Sequence, residues 1–187
     1  MKVMHLLPSL SSGGVEQVVL ELCEGLCSRG IENVVVSAGG SMVPAIEATG
    51  ARHITRPIGR KSLFTLLQVG KTARLIRAEK PDVLHVHSRV PAWVGQLACR
   101  RIPAVERPVI VSSFHGFHSV NAYSAIMAKG DKVIAVSECM RQHILDNYDI
   151  LTIMEKNQLW KLVMKKVIVY RSQDDELSIQ LYPNLPK

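Results

Sequence analysis

The chain has 187 residues, enough for one well-cored domain and too few for two of ordinary size. Its 47% hydrophobic content is that of a globular protein, and no apolar run reaches the roughly 18 residues needed to cross a membrane. The net charge of +7 points to anionic partners such as nucleic acid, lipid headgroups or phosphorylated substrates. Near the start, His5 and Pro8 interrupt the apolar run and no small-residue cleavage site follows, so a cytoplasmic protein without a secretory leader is expected.

Residues 2–7 (KVMHLL) read as a buried strand. After the loop Pro8-Ser9-Leu10-Ser11-Ser12-Gly13-Gly14, apolar residues recur at Val15, Val18, Val19, Leu22 and Leu26, the spacing of one helix face. A glycine pair at a strand-to-helix turn lets backbone approach a ligand, and a helix N-terminus favours an anion such as phosphate. The same residues also describe a plain tight turn with Ser11 or Ser12 capping the helix. Gly30 stops this helix, and 33–38 (NVVVSA) is a β-branched strand closed by Gly39-Gly40. A short helix over 42–49 and a short strand over 52–57 follow. Helical spacing at Leu63, Leu66, Leu67, Leu75 and Ile76 predicts a helix over 63–79. Further strands are expected at 83–87, 109–114 and 132–136, with helices at 92–101, 120–129 and 138–147. Beyond 150 the pattern changes: 151–164 reads as a helix and 166–170 as a strand in a divergent tail.

Apolar strands without polar alternation, separated by helices, predict a parallel sheet covered on both faces, a doubly wound Rossmann-like α/β domain over 1–150. Ligands bind such sheets at the carboxyl ends of the strands. Ser11 to Gly14, His87-Ser88, His115-Gly116 and Ser137-Glu138 all fall there. His85 and His87, two apart on a strand, share a face. With Asp82 they would suggest a metal, but Asp82 lies on the opposite face, so His85 is read as a hydrogen-bonded core residue and His87 as reaching the crevice. His115, expected to be exposed there, is a group that can donate to a hydroxyl or phosphate and change protonation near neutral pH; a loop histidine without a role is the alternative.

Cys23 and Cys27 are one helical turn apart, but no second close pair completes a ligand set, so reduced structural thiols are expected. Arg52, Arg56, Arg60, Lys61, Lys71, Arg74, Arg77 and Lys80 crowd into 29 residues in which Phe64 is the one aromatic residue. The lack of stacking platforms weighs against single-stranded nucleic acid. Anionic headgroups or a solvated helix face remain. There is no G-x-S-x-G elbow, no G-x-x-x-x-G-K-[ST] loop and no G-x-G-x-x-G spacing.

Four segments in this order resemble the N-terminal half of family 4 retaining glycosyltransferases of the GT-B fold, a family with many members in lipopolysaccharide and capsule assembly. They are Gly13-Gly14-Val15-Glu16, Lys80-Pro81-Asp82-Val83-Leu84-His85-Val86-His87, Ser113-Phe114-His115-Gly116, and Asp131-Lys132-Val133-Ile134-Ala135-Val136-Ser137-Glu138. The resemblance runs from Lys2 to about Asp149. It implies that Gly13 and Gly14 meet the donor diphosphate, that His115 contacts the transferred sugar, and that Glu16, His87, Ser137 and Glu138 line the acceptor side. The donor is a nucleotide sugar, the acceptor a saccharide or lipid-linked saccharide, and neither a further cofactor nor a metal is implied. The resemblance further implies front-face substitution, the leaving phosphate assisting acceptor deprotonation, with the protein orienting the reactants and stabilising charge. Docking of the basic face to an anionic inner membrane surface would suit such an enzyme. The family's second Rossmann-like domain, with its Glu-x7-Glu motif, has no counterpart here, and Arg171-Ser172-Gln173-Asp174 lacks the glycine of the family hinge. The chain is therefore expected to act as an acceptor-binding half that needs a complementary donor-binding domain or chain, or to be a truncated product. The alternative is a catalytically inactive α/β module that binds a phosphorylated ligand.

Overall fold

The computed structural model of the chain describes residues 1–60, 62–148, 164–171 and 177–183. They fall into two units, Met1–Asp149 and Ile150–Lys187. In the first, β1 (Lys2–Leu6), β2 (Glu32–Ser37), β3 (Arg52–Thr55), β4 (Val83–Val86), β5 (Val109–Phe114) and β6 (Lys132–Ala135) form one sheet, paired in parallel throughout. Their order is β3-β2-β1-β4-β5-β6. Helices α1 (Gly14–Cys27), α2 (Val43–Ala48), α3 (Leu63–Glu79), α4 (Arg89–Cys99) and α5 (Glu138–Asn147) alternate with the strands. This is the expected doubly wound, Rossmann-like α/β fold.

The central strands carry no polar alternation because both faces are covered: from Val3 in β1, Asn33 in β2 and Ile110 in β5, every residue of these strands is buried. The edge strands β3 and β6 are only half-buried, as expected where one side has no neighbour. On one face Gly95 of α4 lies so close to the sheet that a Cβ would meet Leu6 Cδ1 at 3.0 Å and Leu84 Cδ2 at 3.1 Å. On the other, Val19 and Cys23 of α1 pack with Leu7, Leu10, Val35, Ile46 and Ala51. Each fully buried aliphatic side chain of this kind stabilises the fold by roughly 1.5–3 kcal/mol.

Helix α3 keeps Ile76 of the expected face inward but not Leu67. Thr65, Gln68, Val69, Thr72, Ala73 and Ile76 are buried, whereas Leu67 is 65% exposed. The inward stripe keeps the three-or-four spacing but is half polar, which hid it behind the leucines. The helix expected over 120–129 is a 3-10 segment, Ser124–Lys129. All four cysteines are free, and burial pushes the Cys23 thiol up to about 12. Part of the basic stretch is neutralised within the fold, Arg52 by Glu79 and Arg77 by Glu106, while Lys71 and Arg74 stay exposed on α3. Lys61 lies outside the described residues. No helix among the described residues is long and apolar enough to cross a membrane.

In the second unit, β7 (Met164–Arg171) and β8 (Leu177–Pro183) pair antiparallel, Val169 opposite Ile179. β7 contains the stretch 166–170 read as a strand, and β8 was not anticipated. The helix expected over 151–164 lies outside the described residues except for Met164, which opens β7.

Candidate functional site

Strand order reverses between β1 and β4. Chain segments leaving their carboxyl ends run to opposite sides of the sheet, which opens a crevice at the switch point. The loop after β1 and the start of α4 after β4 meet this crevice, and His115, just past β5, borders it.

The loop after β1 is positioned from the side by β2 and β3. Leu10 N donates to Gly39 O at 2.9 Å, Met42 N to Leu10 O at 2.8 Å, and Ala38 N to Pro8 O at 3.1 Å. Two glycines make this close approach possible. Gly40 has φ +150°, and a Cβ there would collide with the Leu10 backbone; a Cβ on Gly59 would lie 2.7 Å from Pro8 Cα. Gly13 and Gly14 are different. Gly13 is the helix N-cap with extended backbone (φ −178°) and no side-chain cap, so neither Ser11 nor Ser12 caps α1. A Cβ on Gly13 would meet only the mobile end of Glu16, and one on Gly14 would meet nothing within 4 Å. The loop from Ser11 to Gly14 is exposed, and Glu16 half-buried. Nothing in the fold requires glycine at position 14; the open space beside it does suit an incoming ligand.

The other wall is made of imidazoles. Parallel pairing sets His5 beside His85, and His87 follows two residues on along the same face of β4. His5 Nδ1 is 3.1 Å from His87 Nε2, His87 Nδ1 is 3.1 Å from His115 Nε2, and His5 Nε2 is 3.1 Å from Asn33 Oδ1. His85 Nε2 is 2.7 Å from Ser113 Oγ. Burial pushes His5 down to about 4, despite the Asn33 hydrogen bond, and His115 to about 4, with His118 adding to the effect. His85 and His87 lie well below the usual imidazole range, first through burial and then through their histidine neighbours. All four are neutral at pH 7. This corrects two expectations. His87 does not reach into the crevice: it is 2% exposed and contacts His115 instead. His115 is half-buried and does not titrate near neutrality. His85 is the hydrogen-bonded core residue expected.

One nitrogen each from His5, His85 and His87 lies within 4.8 Å of the others. The facing nitrogens of His5 and His87 already bond one another, and no carboxylate belongs to the group. A divalent cation there would be a buried charge without a counter-charge, so the cluster fits hydrogen bonding better than metal. Asp82, once considered with His85 and His87, instead accepts from the Lys2 backbone N–H at 2.6 Å.

Ser137 and Glu138 follow β6. Ser137 Oγ accepts from Met140 N at 3.2 Å and caps α5, and the exposed Glu138 pairs with Arg141 at 2.8 Å. Both therefore have local structural roles beside any contact with a ligand. Two neighbours escaped the sequence reading. Arg89, at the first turn of α4, lies 5.5 Å from the centre of the Tyr123 ring and donates to Ser124 Oγ at 3.3 Å, and Asn33 ends the histidine line. The position of Arg89 directly after His87-Ser88 was a usable signal; Asn33, inside a strand, offered none.

The sheet order and its flanking helices define a Rossmann-like α/β domain with a crevice at the switch point. Residues 12–152 match the description Glycosyltransferase Family 4. The chain belongs to this family, as the sequence motifs implied. A glycosyltransferase from Rickettsia africae is similar in structure, with TM-score 0.67 and 32% identity over 80% of this chain and 40% of that one. Anabaena HepE in complex with UDP and glucose superposes with TM-score 0.60 and 18% identity, covering 79% of this chain and 41% of its own. The lipopolysaccharide outer core galactosyltransferase WaaB superposes with TM-score 0.60 and 14% identity over 79% of this chain and 42% of its own. The last two likenesses speak to the fold alone. The chain spans about 40% of the length of these structures. No curated protein matches it in sequence.

Proposed function

We propose that this chain is the acceptor-side half of a glycosyltransferase, moving a sugar from a nucleotide-sugar donor to a saccharide or lipid-linked acceptor in cell-surface polysaccharide synthesis. A donor-binding domain or chain completes the cleft. The observation that carries this reading is the exposed Gly13-Gly14 turn, whose second glycine the fold does not need, at the N-terminus of α1. Free backbone N–H groups there suit the donor diphosphate. The neutral His115 across the switch point orients the transferred sugar without adding charge. Glu16, Ser137 and Glu138 border the acceptor, and His87 acts on it only through His115. The nucleotide-sugar class is supported by the family and by HepE, which was crystallised with UDP and glucose. Exposed Lys71 and Arg74 on α3 suit an anionic surface carrying a lipid-linked acceptor.

The test fuses this chain to the C-terminal remainder of the Rickettsia africae glycosyltransferase and screens radiolabelled UDP-sugars against a bacterial lipid extract. Transfer should require both halves, and His115→Ala should lower kcat/KM by about 100-fold or more. Turnover of the variant equal to that of the parent would remove His115 from the site. Tight binding of UDP-sugars without transfer, abolished by Gly13→Val, would favour the inactive binding module instead.

A further inference from the structure

The line Asn33–His5–His87–His115 has a direction. Asn33 Nδ2 donates to Ile31 O at 2.9 Å and to Cys27 Sγ at 3.4 Å, so its Oδ1 is the atom that faces His5. A carbonyl oxygen only accepts, and His5 Nε2 must therefore carry hydrogen. In a neutral imidazole the other nitrogen is then bare, so His5 Nδ1 accepts, and the atom facing it, His87 Nε2, must donate. The same step applies once more: His87 Nδ1 is bare and His115 Nε2 carries hydrogen.

We propose that Asn33, His5 and His87 are positioning residues that hold His115 as the Nε2–H tautomer, presenting a bare Nδ1 that accepts a hydrogen bond from a ligand hydroxyl. This rests on the proposed function only for the identity of the hydroxyl, which would be that of a sugar. The chemical consequence is selectivity. A bare Nδ1 welcomes O–H and N–H donors and repels phosphate oxygens and carbonyls, so His115 meets the sugar and not the diphosphate. It is therefore an acceptor where the sequence alone suggested a donor.

Three observations support the lock. His5 and His87 are 0% and 2% exposed, which disfavours the extra proton needed to reverse the line. An N–H of His115 would point at the ligand only if His5 or His87 were doubly protonated or His5 gave up its bond to Asn33. The far end is an amide, which cannot take up a proton, so the line orients hydrogens and does not conduct them. His115 Nδ1 has no hydrogen bond within the protein among the described residues and is the one free nitrogen of the line.

The experiment is long-range 1H–15N correlation of the full chain labelled with 15N-histidine, at pH 7 and without ligand, with assignments from single histidine variants. His5, His87 and His115 should each show a proton-bearing Nε2 and a bare Nδ1. A proton on Nδ1 of any of them overturns the proposal. Asn33→Leu and His5→Phe break the line at different points, and each should shift His115 Nδ1 towards the protonated resonance. A His115 tautomer unchanged in both variants, with cooperative melting retained, also overturns it. If neither variant folds, the parent spectrum alone decides. Because no donor or acceptor is present, loss of the glycosyltransferase reading would leave this outcome untouched, and a wrong tautomer would not touch sugar transfer.

Discussion

The two walls of the crevice are built on opposite physical terms. On the β1–β2 side, backbone defines the wall: glycines admit close approach, and the turn from Ser11 to Gly14 is exposed. On the β4–β5 side, side chains define it: His85, His87 and His115, backed by His5 of β1, are four neutral imidazoles, two of them at 2% exposure or less. An open backbone wall suits a charged group that brings its own water and needs many N–H donors. A dry side-chain wall suits one hydroxyl met at a set angle, because a buried hydrogen bond is costly to misplace. On the proposed function, neighbouring strand ends would divide recognition between them.

Acid should separate the walls most. The histidine pKa values are lowered by folding, so the unfolded chain takes up protons first as pH falls below about 6.5. Stability is complete above that value and is lost as pH drops towards 4. His5 alone accounts for about 3 kcal/mol over that range, and urea midpoints from pH 7 to pH 4.5 should fall steadily. A flat profile would show that the line is already charged or solvated. Glu79, held below the usual carboxylate range by Arg52 and Lys2, keeps its full stabilising contribution above about pH 4.5 and loses it only below, so it does not confuse the reading.

The glycines give the next contrast. Gly40→Ala forces a side chain into positive φ and into the Leu10 backbone, and should cost about 2–3 kcal/mol in denaturant unfolding. Gly14→Ala lies in open space at the first turn of a helix. It should leave stability unchanged or raise it by about 0.5 kcal/mol, while weakening UDP-sugar binding to the fused two-domain protein in isothermal titration. Equal destabilisation by the two would erase the distinction between a glycine the fold needs and one it does not. Ser137→Ala removes the cap of α5 and should lower stability by about 1 kcal/mol, read in the same assay. Leu67→Ser, on the exposed side of α3, should fall within about 0.5 kcal/mol of the parent; a larger loss would mean that Leu67 is packed inward after all.

Much of this was legible beforehand because its signals are local. Unbroken runs such as VVVS and VIVSSF can be buried on both faces only inside a covered parallel sheet, and the polar residues directly after them fell at the carboxyl edge without any knowledge of pairing. Gly13-Gly14 after β1 and His115 after β5 were placed at that edge in this way. The face of α3 was read only in part, with Ile76 inward as expected, because leucine outweighs threonine in any reading of periodicity, yet Thr65, Gln68 and Thr72 also turn inward. The short 3-10 segment at Ser124–Lys129 lacked the length that marks a helix.

The sequence by itself determined the fold class, the family and the places where chemistry could occur, since each follows from runs of residues within one element and its adjoining turn. Only the tertiary structure decided what the histidines do. Residues 5, 33, 87 and 115 meet because β1 lies between β2 and β4 and because β5 follows β4, a fact of strand order with no local trace. Protonation and tautomer are set by burial and by the partner of each nitrogen. Both belong to neighbours as far apart in the chain as 82 residues, the separation of His5 and His87.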